Sequence, residues 1–137
     1  DPNYAAVFNH RGILYKNLGE YEKALEDYNK AIELNPNYAY AYNNRGILLY
    51  SNLKRREKAL ESYNKAIDLD PNYTDAYYNR GLAYGALGQF EAAIKDYTRA
   101  IQLNPRYKNA YLNRARAYSA LGQEELAKAD RKTAEQL

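Results

Sequence analysis

Four prolines set the frame of this chain. Pro2, Pro36, Pro71 and Pro105 stand 34, 35 and 34 residues apart. A fixed period of this length signals stacked supersecondary units before any other architecture is considered. Proline lacks an N–H and disfavours the helical region for the residue before it, so Pro105 marks where a helix stops. Between Tyr73 and Pro105 two apolar patterns meet at Leu87-Gly88-Gln89. The first carries Ala76, Tyr77, Arg80, Gly81, Tyr84 and Leu87, and the second carries Phe90, Ala93, Ile94, Tyr97, Ala100, Ile101 and Leu103. Both follow the helical period and not the alternation of a strand. Gly88 suits the left-handed conformation that ends a helix. The unit is therefore two antiparallel helices joined by a short loop. Small residues at Gly81, Ala93 and Ala100 let the backbones approach, and tyrosines fill the space beside them.

The same unit recurs along the chain. The small first-helix residue is Gly12, Gly46, Gly81 and then Ala115, and the second helices carry Ala24, Ala59, Ala93 and Ala127, then Ala31, Ala66, Ala100 and Ala134. In the first copy Phe8, Gly12, Tyr15, Ala24, Tyr28, Ala31 and Pro36 follow the signature of the tetratricopeptide repeat, as do Tyr77, Gly81, Tyr84, Ala93, Tyr97, Ala100 and Pro105 in the third. Nearly the whole chain resembles that family, in four copies at about 4–37, 38–72, 73–106 and 107–137. The helix-pair repeats that read RNA are similar in length but lack this Tyr/Gly/Ala/Pro signature. The resemblance implies an all-α fold: a right-handed α-solenoid of tandem antiparallel helix hairpins forming one array. First helices are expected to line the concave face of a superhelix and second helices its outside.

Composition narrows the function classes. There is no cysteine and one histidine, so disulfides, thiolate metal sites and a zinc centre are not expected. A net charge of +3 is too small to argue for nucleic acid. No apolar run approaches a membrane span and no signal peptide is visible; a cytoplasmic location is compatible with this. No glycine-rich phosphate loop and no histidine paired with a nucleophile occur. The acidic residues sit as helix surfaces normally carry them, for example Glu26 four residues before Lys30. We expect no enzyme activity and no cofactor.

The two ends differ from the interior. The chain opens Asp-Pro-Asn-Tyr, as one repeat ends and the next begins, and has no methionine, which reads as a fragment of a longer array. An uncapped face is expected around Phe8, Tyr15 and the first helix, with weak self-association through it. At the other end Glu124, Arg131 and Glu135 replace the tyrosines and isoleucines of earlier repeats, so the last repeat reads as a C-terminal cap. The second copy carries one extra residue, has no loop glycine, and continues with Lys54, Arg55, Arg56 and Lys58. We expect a longer loop with Asn52 in the left-handed conformation; a bulge in the first helix near Leu48 to Tyr50 is the alternative. The cations read as a solvated turn, or else as a docking patch for an acidic partner.

Two residues before the small first-helix position stand His10, Asn44, Asn79 and Asn113. In proteins similar to the superhelical repeats of the O-GlcNAc transferase family, asparagines here form a ladder along the groove. A carboxamide both donates and accepts, so it can hold a peptide main chain without reading its sequence. The competing reading is that asparagine is simply tolerated on an exposed helix face. Three neutral hydrogen bonds net roughly 0.5–1.5 kcal/mol each, short of the roughly 8 kcal/mol that micromolar binding needs. Further anchors are therefore required, and Tyr40, Asn43, Asp75, Tyr78, Asn109, Leu112 and Arg116 share the face. The tyrosines are the natural apolar anchors and Arg116 a carboxylate partner. Chaperone-binding members of the family clamp a C-terminal carboxylate with Lys, Asn and Arg. Here Asn9 and Ile13, or Asn43 and Ile47, take the first positions, and Asp75 and Asn79, or Asn109 and Asn113, the last. Only the middle asparagine of the clamp is matched, so a chaperone-tail clamp is not expected.

Arginine precedes the small residue in every copy, at Arg11, Arg45, Arg80 and Arg114. Folding each hairpin about its loop brings these opposite Asp27, Ser62, Asp96 and Asp130, which predicts Arg–Asp pairs within the repeat and argues against a row of phosphate sites. The reading as a whole is a protein–protein interaction module that binds an extended peptide or partner helix in the concave groove. The alternative is a structural or self-associating scaffold, natural or engineered, without a specific ligand.

Overall fold

The computed structural model describes residues 2–137. Among them are eight helices and no strand: α1 (Pro2–Asn17), α2 (Tyr21–Leu34), α3 (Ala39–Ser51), α4 (Arg56–Leu69), α5 (Thr74–Ala86), α6 (Phe90–Leu103), α7 (Lys108–Ala120) and α8 (Glu124–Glu135). Consecutive helices pair as hairpins, which makes the fold an all-α solenoid. The chain divides into two compact units, one ending at Pro71 and one running from Asn72 to Leu137. In the first, α1 packs on α2 and α3 on α4, with α3 also against α2 and α1; in the second, α5, α6, α7 and α8 repeat that arrangement.

Alanine and tyrosine build the interior, as the spacing predicts. In the first unit one cluster joins Ala5, Ala31 and Ala41, with Phe8, Ile32, Leu34 and Tyr38 against it. A second joins Ala24, Tyr28 and Leu48, flanked by Ile13, Tyr15, Tyr21, Leu25 and Leu53. In the second unit Ala76, Ala83, Ala93, Tyr97, Ala100, Ala110, Ala117 and Ala127 are buried. The close approach explains the first-helix glycines. A methyl group at Gly12 would lie 2.7 Å from the Tyr28 ring, at Gly46 2.5 Å from Tyr63, and at Gly81 2.6 Å from Tyr97. Where the fourth copy has Arg131 in place of the tyrosine, it has Ala115 in place of the glycine.

Turns between hairpins are built by the residues around the prolines. Asn35 accepts from the backbone N–H of Asn37 and Asn104 from that of Arg106, both at 3.1 Å, which folds the chain over each proline. The tyrosine six residues after the proline then donates to its carbonyl, Tyr42 to Pro36 at 3.1 Å and Tyr111 to Pro105 at 2.9 Å.

Within three hairpins the loop is three residues, closed by Gly19, Gly88 or Gly122 at positive φ. The extra residue of the second copy lies in its loop and not in a helix, because α3 has the same 13 residues as α5 and α7. The left-handed residue there is Lys54 (φ 57°), not Asn52, which is right-handed helical at φ −106°, ψ −43°. The physical reason is the closing bond. Gln89 N–H reaches Tyr84 O and Gln123 N–H reaches Tyr118 O, whereas Arg55 N–H reaches back one residue further, to Leu49 O, at 2.7 Å. The residue just before the closing donor must turn, and in this loop that residue is Lys54.

The exposed apolar stripe on α1 also departs from the expectation. Phe8 and Tyr15 are half-buried, and the open face is Tyr4, Val7, Leu14 and Leu18 instead. Tyr4, Val7 and Leu14 lie three and seven residues apart, so they share one side of the helix, and Leu18 follows just past its end.

Candidate functional site

The arginine row resolves as a set of internal clasps. Arg11 donates through Nε and Nη2 to Asp27 at 2.8 and 2.9 Å, Arg80 to Asp96 at 2.8 and 2.7 Å, and Arg114 to Asp130 at 2.7 Å for both. Each guanidinium also lies over aromatic rings: Arg11 over Phe8 and Tyr15, Arg80 over Tyr77 and Tyr84, Arg114 over Tyr111 and Tyr118. These are fork-on-carboxylate pairs with added ring contact. The hydrogen bonds and charge of Asp130 raise the Arg114 pKa above the usual arginine value, against the opposing effect of burial. For Arg80 burial is the largest influence and pulls down, but the Asp96 bonds and charge together outweigh it. Arg45 is the exception: it donates to Ser62 Oγ and Asn29 Oδ1, both at 3.0 Å, and burial depresses its pKa.

The residues two before the small position do not all face the same surroundings. His10 is exposed, and Asn44, Asn79 and Asn113 are half-buried. In the first unit the Asn44 amide donates to Asn9 Oδ1 of α1 at 3.0 Å. In the second the Asn113 amide donates to the Tyr78 hydroxyl of α5 at 3.0 Å and to Asn109 O at 2.9 Å. The same rung thus crosses between neighbouring first helices in both units. It ties a residue two before the small position to one three before it in the preceding copy. These rungs were missed at the sequence level, because an asparagine in either role looks the same in a row of letters.

The rung geometry corrects one candidate. Asn43 stands three before Gly46 and is only 4% exposed, so it belongs to the interior like Asn9 and not to a ligand-facing surface. Tyr78 is half-buried, with its ring 4.8 Å from that of Tyr107 and 5.9 Å from that of Tyr97, so it serves packing as well as the face. Leu112 is likewise half-buried. The exposed candidates are His10 and Tyr40, the latter at 65%, in the first unit, and Asp75, Asn109 and Arg116 in the second. Asp75 accepts from the Tyr107 hydroxyl at 3.2 Å. Burial, then the charge of Asp75, pushes the Tyr107 phenol up. Arg116 donates a long 3.4 Å bond to Asn113 Oδ1. In chemical terms the first unit offers a half-buried carboxamide and a protruding phenol ring, and the second offers carboxamides, one carboxylate and one exposed guanidinium; groups of these kinds suit polar main chain and side chains better than an apolar small molecule.

On α8 the expected polar face is a connected network. Arg131 donates to Glu124 at 2.7 Å, and the Ser119 hydroxyl donates to the other Glu124 oxygen at 3.0 Å. The Arg131 hydrogen bond, then that of Ser119, hold the Glu124 carboxyl below the usual range. Among the described residues no group of three His, Cys, Asp or Glu side chains could hold a metal ion, and no helix is long and apolar enough to cross a membrane.

Comparison with known proteins agrees with this geometry. Two family profiles described as tetratricopeptide repeat match residues 5–38 and 74–107, and residues 27–61 and 96–129; a third, described as TPR repeat, matches residues 53–88. A crystal structure of MamA is 29% identical with a TM-score of 0.92, over 99% of this chain and 79% of that one. The first TPR of Spaghetti (RPAP3), solved bound to the HSP90 peptide SRMEEVD, is 32% identical with a TM-score of 0.87, over 89% of this chain and 96% of that one. The first TPR domain of human RPAP3 is also 32% identical, with a TM-score of 0.85, over 91% and 98% of the two chains. With a repeat profile over half its length and helix hairpins that superpose on these relatives, the chain belongs to the tetratricopeptide repeat family.

Proposed function

We propose that this chain is a protein-interaction module that holds an extended peptide or a partner helix against its first helices, with its four hairpins acting as one array and the last as the cap. The observation that carries the reading is the exposed Tyr40 one turn before Asn44, matched in the second unit by Asp75, Asn109 and Arg116 around Asn79 and Asn113. An RPAP3 domain 32% identical to this chain is known bound to a peptide, which supports the class of ligand. The same peptide is not the expected one. Asp75 stands where the clamp described above requires a cation, and it would repel a C-terminal carboxylate.

Peptide display against the chain, repeated with Tyr40→Ala, tests the reading. Tyr40 protrudes from α3, so truncating it leaves the interior untouched. Loss of an exposed aromatic anchor costs about 1–2 kcal/mol, or roughly five- to thirtyfold in affinity. Enriched peptides that bind Tyr40→Ala, Asn109→Ala and Arg116→Ala as tightly as the parent would refute it. A triple Asn44→Ala, Asn79→Ala, Asn113→Ala variant is informative only beside a melting curve, because two of those residues also hold neighbouring helices together.

A second reading, self-association, rests on Tyr4, Val7 and Leu14 lying open on one side of α1, with Leu18 exposed just past its end. Sedimentation over a wide concentration range, with Val7→Glu and Leu14→Glu as the variant, separates it from peptide binding.

A further inference from the structure

One hairpin lacks the carboxylate that the other three hold. At the position of Asp27, Asp96 and Asp130 the second copy has Ser62, and Arg45 makes no ion pair among the described residues. Its Nε donates to Ser62 Oγ and its Nη1 to Asn29 Oδ1. The Nη2 group, which in the other three hairpins donates to aspartate, has no carboxylate at Ser62 to receive it.

A cavity of about 280 Å³ opens at this point between α2, α3 and α4. Its polar wall is Asn29, Arg45, Arg55, Lys58, Glu61 and Ser62, three cations against one carboxylate. Arg55 is also engaged from outside the wall by Glu22 at 3.3 Å. Leu25 and Leu49 also line it, and apolar lining strengthens a charge pair formed beside it. Serine contributes a second feature. While its oxygen accepts from Arg45, its O–H remains able to donate, so the wall presents hydrogen-bond donors on several sides. The extra loop residue belongs to the same design, since the lengthened turn at Lys54 delivers Arg55 and Lys58 to this wall.

We propose that this cavity is a docking site for a carboxylate of a partner protein, an aspartate or glutamate side chain or a chain terminus, which takes the place beside Arg45 that aspartate occupies in the other hairpins. The choice of carboxylate comes from the molecule itself. The same fork, on the same helix position, is bound by a carboxylate at 2.7–2.9 Å in three of four copies. The site is made from α2, the Arg45 side of α3 and α4, so it is separate from the peptide-binding face proposed above, and either can fail without the other. Glu61 is its internal competitor and sets the strength of binding.

Side-chain ¹⁵N NMR of the arginine Nε–H groups tests this, with sodium acetate, hexaglutamate peptide, inorganic phosphate and sodium chloride titrated at constant ionic strength. Acetate and hexaglutamate should move the Arg45 resonance saturably, hexaglutamate at lower concentration, while Arg80 and Arg114 stay in place. Ser62→Asp supplies the carboxylate from within and should weaken binding at least tenfold while raising the melting temperature. Glu61→Gln should strengthen it severalfold. Should Ser62→Asp fail to fold, Arg45→Gln read by peptide chemical shifts replaces it, again with at least tenfold loss expected. The proposal is overturned if Ser62→Asp binds like the parent, if Arg80 and Arg114 respond together with Arg45, or if phosphate binds more tightly than either carboxylate.

Discussion

A glycine in the first helix of each of three hairpins faces a tyrosine ring from the second, and the pair acts as one residue in two parts. At Gly81 a methyl group would come within 2.6 Å of Tyr97. Overpacking of this kind costs about 1–3 kcal/mol, and the better helix propensity of alanine returns at most about 1 kcal/mol. Gly81→Ala should therefore destabilise the chain, and the same change made together with Tyr97→Leu should cost clearly less, as denaturant melts of the two double-mutant arms will show. Equal losses in both backgrounds would mean that the ring is not the obstacle. This pairing was half legible. The glycines and tyrosines could be read off as a register, and so could the clasps, because Arg and Asp recur at a constant separation of 16 residues. What could not be read was which asparagine points inward. Asn43 and Asn44 are adjacent letters of the same kind, one buried and one half-buried, and polarity gives no contrast where a buried carboxamide is held by bonds to its own kind.

Helices in this chain begin without help from their caps. From α2 to α8 the residue before each helix is Glu, Tyr, Arg or Gln, and none of these makes a side-chain capping bond. Helices of 12 to 14 residues are marginal alone, so the hairpin partner and not the sequence of one helix supplies their stability. The hairpin loops then matter through backbone geometry. Three use glycine at positive φ, and the fourth places Lys54 at φ 57° while its ammonium donates to Ser51 O at 2.7 Å. A side chain in that region costs about 1 kcal/mol, and the exposed lysine bond recovers little of it. Lys54→Gly should raise stability by roughly 0.5–1 kcal/mol, measured as an upward shift of the melting temperature. A fall would show that the lysine bond outweighs the strain. Sequence reading placed the longer loop but chose Asn52 for the left-handed residue, since asparagine tolerates that conformation and lysine gives no signal for it. The closing bond from Arg55 decides the matter, and a bond that depends on loop length leaves no mark on composition.

Across the molecule, tyrosines are the largest buried side chains, and that has a consequence at high pH. Burial, then the charge of Asp27, pushes the Tyr28 phenol up to about 12, and burial also raises Tyr63 and Tyr107. In the unfolded chain these groups lose their protons near pH 10. The folded state keeps them longer, so their contribution to stability is complete below pH 10 and, for Tyr28, disappears as pH rises through about 12. Helix content and phenolate absorbance should therefore change together in alkali, with the denaturant midpoint falling steadily between pH 10 and 12. Tyrosines that all ionise at pH 10 with the helices intact would contradict the burial described here. The Arg–Asp clasp acts at this scale too, because it closes inside a single hairpin. A stretch of coding sequence that carries one such hairpin brings both halves of the clasp with it: duplicated in tandem, it lengthens the protein without stranding that arginine. The hairpin of Arg45 and Ser62 lacks that built-in partner, and every further copy of it would add an arginine that has to look beyond the clasp position for an answering charge.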